Sequence, residues 1–308
     1  MDQESKIYIA GHTGLAGSAI VRTLQDQGYA NLITAPHHEL NLTSQSEVSR
    51  FLAKNRPEFV IIAAGRVGGI LANHQEPAQF IYENAIIATN LIHEAHRFGV
   101  TKLLYLGSSC IYPKHASSPI HEDALLTGAL EPTNQWYSVA KIVGIKLCQA
   151  YRQQYGCDFI AAMPTNLYGP NDRYSPTHSH VLPALLNRFH LAKSKRQAQV
   201  VCWGTGTPRR EFLYADDLAE ACLRLLQDYS EKDIINIGYG EDLSIQALAE
   251  SIQKTVGYHG EIVWDRSKPD GTYRKLLDSS KIRALGWSPN TSIEEGLDKT
   301  YQDYLERL

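Results

Sequence analysis

The amino-acid sequence predicts an α/β fold, a doubly wound parallel sheet joined to a smaller C-terminal α/β part, and three observations predict it. Short apolar runs alternate with amphipathic stretches from Lys6 to about Pro164, the mark of successive βαβ units. The first apolar run, Lys6–Ala10, feeds the turn Gly11-His12-Thr13-Gly14-Leu15-Ala16-Gly17, which opens an amphipathic helix over Ser18–Gln27. After Asn171 the alternation weakens around Pro176, Pro183 and the basic stretch Lys193-Ser194-Lys195-Arg196, as expected where a chain leaves its central sheet to build a part that covers substrate.

The remaining elements follow in order. A second strand is expected over Asn31–Ala35, and a second helix ends before Pro57, because proline disfavours helical geometry in the residue before it. Strands are expected at Glu58–Ala63 and Lys102–Leu106, with a longer helix between them from about Pro77 to Phe98. A helix holding Tyr137 to Tyr155 leads to a fifth strand at Phe159–Met163, ending at Pro164, and Ile234–Ile237 returns a strand to the sheet. This reading divides the chain into a dinucleotide-binding domain of residues 1–170 plus about 205–238 and a substrate domain of about 171–204 plus 239–308.

With 308 residues, 43% hydrophobic and 20% charged, the chain has enough apolar material for a large core. A formal charge of -3 argues against nucleic acid or an anionic membrane as partner. Cys110, Cys148, Cys157, Cys202 and Cys222 form an odd set without a CxxC pair, so neither a disulfide framework nor a metal site is expected. Met1–Lys6 is polar and no apolar run approaches the ~20 residues that span a bilayer. The expectation is a cytoplasmic protein with no signal peptide and no membrane span.

Gly11 to Gly17 has the GxxGxxG spacing directly between a strand and a helix. There the first glycine permits a tight turn, the second lets backbone approach a pyrophosphate, and the third allows close helix–strand packing with helix N–H groups facing the anion. Coenzyme choice is read at the end of the second strand, where an acid selects a free ribose hydroxyl. Here the chain reads Thr34-Ala35-Pro36-His37-His38, with no acid until Glu39, which favours NADP(H) over NAD. His37 and His38 are equally well explained as solvated loop residues.

Two further stretches carry chemistry. Gly107-Ser108-Ser109-Cys110-Ile111-Tyr112-Pro113 follows the fourth strand, and Tyr137-Ser138-Val139-Ala140-Lys141 lies in the next helix. Tyr137 and Lys141, four residues apart, share one helix face. A phenol with pKa near ~10 is a poor proton relay at neutral pH, and an adjacent ammonium together with an oxidised nicotinamide is expected to lower it. Tyr137 then exchanges a proton with a carbonyl or alkoxide during hydride transfer, while Ser108, beyond the carboxyl end of a parallel strand, bonds the same oxygen.

These stretches, with Val67-Gly68-Gly69-Ile70, Met163 to Pro170, Ser179 to Leu185 and Lys268-Pro269-Asp270-Gly271, resemble the GDP-L-fucose synthase family of extended short-chain dehydrogenases over nearly the whole chain. The resemblance implies a Rossmann-type homodimer packed through its long helices. It also implies two chemistries in one pocket, epimerisation at C3 and C5 of GDP-4-keto-6-deoxy-D-mannose and reduction of C4 by NADPH. Both epimerised carbons lie alpha to one ketone, so polarising that oxygen serves both steps. By resemblance Cys110 is the base and His180 the acid, while Ser108, Tyr137 and Lys141 complete the catalytic set. Coenzyme contacts fall on Gly11 to Gly17, on Leu106, Gly107, Ser108 and Ser109, on Lys141, on Pro164, Thr165, Asn166 and Leu167, and on His180. The nucleotide-sugar falls to Arg188, Trp203, Arg210, Asp270 and Lys275, whose cations match the pyrophosphate charge and whose indole offers a flat apolar surface.

Departures from the family pattern are Thr13, Ala35 and His37, where bacterial members often carry arginine, and Arg66, where lysine is frequent. The same residues serve equally for a GDP-4-keto-3,6-dideoxy sugar giving GDP-L-colitose. A simple C4 epimerase or dehydratase is disfavoured by Cys110 and the His180 segment. A non-catalytic dinucleotide sensor is disfavoured by the intact set of Ser108, Tyr137 and Lys141.

Overall fold

The computed structural model describes residues 1–175, 179–268 and 270–308. Pro176, around which the alternation of strands and helices weakens, and Pro269 of the Lys268–Gly271 stretch lie outside them. The first half runs β1 (Ile7–Ala10), α1 (Leu15–Asp26), β2 (Leu32–Ile33), α2 (Gln45–Asn55), β3 (Phe59–Ile62), α3 (Ile70–Gln75), α4 (Pro77–Arg97), β4 (Lys102–Leu106), α5 (Gln135–Tyr155) and β5 (Asp158–Pro164). Then follow β6 (Asn166–Tyr168), α6 (Val181–Ser194), β7 (Gln199–Trp203), β8 (Arg209–Arg210), β9 (Phe212–Tyr214), α7 (Ala215–Asp228) and β10 (Ile235–Ile237). The chain closes with β11 (Leu243–Ser244), α8 (Ile245–Val256), β12 (Glu261–Asp265), β13 (Arg274–Lys275), α9 (Ser280–Ala284) and α10 (Ile293–Glu306).

Among the described residues, six strands form one parallel sheet in the order β10-β5-β4-β3-β1-β2. The doubly wound class read from the sequence is thus the observed one, and Ile235–Ile237 returns beside β5 as expected. Every residue of β1, β3 and β4 is buried, the pattern of strands covered on both faces. Side chains alternate between those faces. Ile7, Ile9 and Leu104 pack with α1 and α7 residues such as Leu24, Leu218 and Leu225, whereas Tyr8, Val60 and Leu103 pack with Leu52 of α2, Leu91 of α4 and Ile145 of α5. A third cluster, with Leu186, Phe189, Leu248, Ile252 and Leu297, joins α6, α8 and α10.

Because β2 and β3 flank β1 on opposite sides, the crossovers diverge there and leave a crevice at the carboxyl ends of the strands. Several element boundaries differ from the sequence expectation. The second strand is only Leu32–Ile33, and α1 begins at Leu15, because the glycine turn runs straight into the helix with Gly14 as its cap. Pro164 closes β5 instead of following it, a position tolerated at a strand end, where a missing N–H costs little.

Candidate active site

The glycine turn is shaped by contacts that no side chain tolerates. Gly11 has φ +89°, and a Cβ on Gly17 would lie 2.0 Å from the Gly11 carbonyl oxygen. Gly14 N–H donates to Gly11 O at 3.0 Å. The first turn of α1 has no side-chain cap, so its N–H groups face the crevice for an anionic ligand. Thr13 and Gly14 are exposed there, and His12, Leu15 and Ala16 are half-buried. Asn171 Nδ2 closes on Thr13 O at 2.7 Å. These residues fit the pyrophosphate of a dinucleotide. His37 and His38 are exposed, the latter 3.6 Å from Glu39, and carry the solvated-loop reading.

Beyond the end of β4, Leu106 O accepts Lys141 Nζ at 2.8 Å, and Ser108 Oγ accepts the Cys110 N–H at 3.2 Å. Ser109 is buried. Lys141 is buried under the Tyr105 and Tyr137 rings, 5.0 Å and 5.7 Å from their centroids. Burial pulls its ammonium down to about 8. The expected lowering of the Tyr137 phenol is not what the protein chain alone provides. Burial pushes Tyr137 well above the tyrosine range, the Cys110 charge adds to this, and the Ser108 hydrogen bond only partly offsets it. The reason is that Lys141 directs its charge at a backbone carbonyl and is itself weakened by desolvation.

On the other side of the cleft, β11, β8 and β13 form a small sheet. Its register pairs Arg210 with Lys275 and Arg209 with Arg274, so each pair shares one face. Arg209 and Arg274 both close on the carboxylate of Asp242, whose side chain is 2% exposed. Lys275 on the opposite face brings Nζ to 3.5 Å from Cys110 Sγ, and Asn134 Nδ2 donates to the same sulfur at 3.3 Å. Burial lowers Arg210, with the Cys110, Glu131 and Asp270 charges acting against that shift. A Cβ on Gly271 would come within 2.9 Å of Arg210 Nη2.

His180 stands at the N-terminus of α6 and is exposed as a whole residue. Even so, desolvation of its ring and then the Lys275 charge hold its imidazolium below the usual range. Lys275 therefore acts on both residues expected to move protons at C3 and C5. Arg188 Nη1 donates to Val201 O at 2.7 Å, while Trp203 is 62% exposed beneath the Lys268 ammonium at 5.7 Å. Asp270 accepts Thr205 N–H at 2.9 Å and Thr205 Oγ1 at 2.7 Å. Arg66 is tied to Glu76 and Glu83 of the α4 region and lies over Phe80.

Sequence reasoning missed three residues that shape the cleft. Glu211 is fully buried and accepts Gly240 N–H at 2.8 Å and Leu277 N–H at 3.1 Å, while its carbonyl takes Thr165 Oγ1 and Asn166 Nδ2. Asp242 has no local signal. Asn134 had one, an asparagine just before a helix, but that signal reads as a cap.

A profile of the NAD dependent epimerase/dehydratase family matches residues 7–238. The chain is 57% identical over 308 residues to putative GDP-L-fucose synthase 2 of Arabidopsis thaliana, covering 100% of this chain and 94% of that protein. The chain belongs to the GDP-L-fucose synthase family. The Escherichia coli (strain K12) GDP-L-fucose synthase is 50% identical to it over 312 residues, covering 98% of this chain and 97% of the relative. The family fold extends to the NADP-bound crystal structure of a Naegleria fowleri GDP-L-fucose synthetase, with a TM-score of 0.92, 28% identity, and coverage of 100% of this chain and 96% of that one. Among the described residues no helix is long and apolar enough to cross a membrane.

Proposed function

We propose that this chain converts GDP-4-keto-6-deoxy-D-mannose to GDP-L-fucose as a 3,5-epimerase and NADPH-dependent 4-reductase. The observation that carries the reading is the placement of the Cys110 sulfur, beside the Ser108–Tyr137–Lys141 set and under Lys275. One ketone then faces both a proton-abstracting group and a proton-donating group. The relatives support the substrate and the coenzyme.

In this reading Arg188, Arg210 and Lys275 bind the nucleotide-sugar with Trp203 and Asp270, and residues 171–204 plus 239–308 form its domain, while 1–170 plus 205–238 hold NADP(H). Ser108 and Tyr137 polarise the C4 oxygen, which acidifies the C–H bonds at C3 and C5. At each carbon in turn Cys110 takes the proton from one face and His180 gives one to the opposite face, and both groups exchange protons with solvent between the two epimerisations. When bound along Gly11 to Gly17, NADPH would supply the hydride for C4. Tyr137 gives its proton to the C4 oxygen, a task suited to a phenol that burial keeps neutral. Lys141 orients the coenzyme side and replenishes the proton. The exposed Tyr82, Val139 and Val143 of α4 and α5 support a homodimer through those helices, and the site of action is the cytoplasm.

The test is to incubate purified protein with GDP-4-keto-6-deoxy-D-mannose and either NADPH or NADH, follow coenzyme oxidation, and identify the sugar by NMR. GDP-L-fucose formed faster with NADPH is expected. Solvent deuterium entering C3 or C5 without coenzyme oxidation would leave an epimerase alone, and complete inertness would remove the proposal.

A further inference from the structure

Lys275 stands beside Arg210 on one face of the small sheet, yet its ammonium is directed at a sulfur, with Nζ 3.5 Å from Cys110 Sγ. The cations around it are neutralised by carboxylates, Arg209 and Arg274 by Asp242 and Lys114 by Glu131 at 3.2 Å. Among the described residues Lys275 has no such carboxylate, and the sulfur is what it meets. Backbone holds the two residues together. Leu276, next to Lys275, accepts Ile120 N–H at 2.8 Å, and Ile120 O accepts Asp278 N–H at 2.9 Å, so the chain that leaves Cys110 clasps the chain that leaves Lys275. Asn134 Nδ2 donates to the same sulfur at 3.3 Å, and the Cys110 charge acts on Arg210 against the effect of burial. A half-buried thiol that receives an ammonium and an amide N–H, with a guanidinium close by, has the electropositive surroundings in which cysteines work as thiolates.

We propose that Lys275 is a positioning residue for the epimerisation, in which its ammonium is the counter-ion of the Cys110 thiolate that removes the C3 and C5 protons. The inference rests on the function proposed above, and it adds a task at the reacting carbons to the place of Lys275 beside Arg210. In each removal the C–H bond breaks, an S–H bond forms, and the electron pair passes to the C4 oxygen as an enolate. His180 then returns a proton to the carbon from the opposite face. Lys275 enters none of these bonds and acts through the sulfur alone. Only the ionised sulfur can take a proton from carbon, so loss of the cation reduces the share of active base. A cation that served the diphosphate alone would leave the free enzyme's sulfur unchanged when removed.

The experiment compares the full-length wild type with Lys275→Met, which keeps an apolar stem without the charge, and Lys275→Arg, which keeps the charge. Without nucleotide and at neutral pH, each protein is treated with iodoacetamide, an uncharged reagent that Lys275 does not attract, and alkylation is followed at Cys110 and Cys157 by mass spectrometry. Cys157 is the internal control, a half-buried thiol beside His96 that precedes β5, whereas Cys110 follows the parallel β4 at the other end of the sheet. Lys275→Met should slow alkylation of Cys110 by about threefold to tenfold, since a scarcer thiolate is also intrinsically more reactive, and should leave Cys157 unchanged. Lys275→Arg should stay near the wild type. With saturating GDP-4-keto-6-deoxy-D-mannose, solvent deuterium entry at C3 and C5 should fall by about tenfold in Lys275→Met, while a weaker hold on the diphosphate appears in KM. Alkylation of Cys110 or deuterium entry at the wild-type rate in Lys275→Met overturns the inference. Equal slowing in Lys275→Met and Lys275→Arg would mean packing instead of charge and overturns it too. If Lys275→Met also alters Cys157, Lys275→Gln supplies the same comparison. A wild type that exchanges neither hydrogen removes the functional reading together with the inference, whereas exchange in the wild type with unaltered alkylation in Lys275→Met removes the inference alone.

Discussion

The wall of the cleft read as holding the coenzyme is made of motifs that are each local in the chain, whereas the charges of the wall read as holding substrate become neighbours only through long-range strand pairing. Gly11 to Gly17, Leu106 to Cys110 and Tyr137 to Lys141 each lie within one turn or one helix end, carried by a sheet with fully buried strands. Arg210 and Lys275 become neighbours only because two-residue strands pair at one register, with Asp242 binding the arginines of the other face. Backbone geometry fixes the first wall, and a buried carboxylate between two guanidinium groups fixes the second. Damage to the first should therefore be all-or-none, and damage to the second graded.

The largest effect is expected at Tyr137, the proposed proton donor to the C4 oxygen. Tyr137→Phe should lower the rate of coenzyme-dependent reduction by about 10³-fold, within the usual range for loss of a general acid. NADPH affinity, measured by fluorescence titration, should stay near that of the wild type, since the glycine turn is untouched. Loss of NADPH binding would instead mean that the phenol holds the coenzyme. Next comes Cys110→Ser, which should slow solvent deuterium entry at C3 and C5 by about 10²-fold and impair reduction of a ketone needing no epimerisation far less. Exchange at the wild-type rate would exclude the sulfur as base.

This contrast also explains what was legible in the sequence. The glycine spacing, the Ser108 strand end and the Tyr137–Lys141 pair could be read because each is local, and a period of 3.6 or a turn residue advertises it. The resemblance alone marked Arg188, Trp203, Arg210, Asp270 and Lys275, for a cation on a two-residue strand has no periodicity of its own. Asp242 and Glu211 escaped because a carboxylate buried by long-range pairing looks like any surface acid until the chain folds. Asn134 escaped because an asparagine just before a helix has the residue type of a cap, a bond that its side chain does not form. The direction of the Tyr137 shift was missed for a different reason. Spacing reveals that Lys141 is adjacent, but desolvation of both groups depends on what covers them.

A pH profile sharpens the coenzyme side of the comparison. Burial brings Lys141 from 10.5 down to about 8, so its ammonium is lost as pH rises through that value. The reduction rate should fall above about pH 8, approaching tenfold per pH unit. Lys141→Arg should remove that limb, because a guanidinium stays charged. The stability effect has the opposite sign. Between about 8 and 10.5 the unfolded chain holds a proton at this position that the folded one has released. The Lys141 contribution to stability therefore rises with pH across that window, its burial penalty being fully present below it.

The smallest expected effect lies in the substrate wall. Asp242→Asn keeps an acceptor between Arg209 and Arg274 but removes the charge that holds both. The arginine side chains are 42% exposed and regain water on release, so the stability cost should be only about 1 kcal/mol, well short of that for a wholly buried pair. The functional consequence travels through the register. If β8 and β13 slide or fray, Arg210 and Lys275 no longer present adjacent charges on the facing side, and KM for the GDP-sugar should rise by about tenfold with kcat changed less. Coenzyme affinity should not move. A parallel loss of NADPH binding would show that the small sheet supports both walls, most directly through Glu211, which touches Thr165 and Asn166 with its carbonyl and Leu277 with its carboxylate.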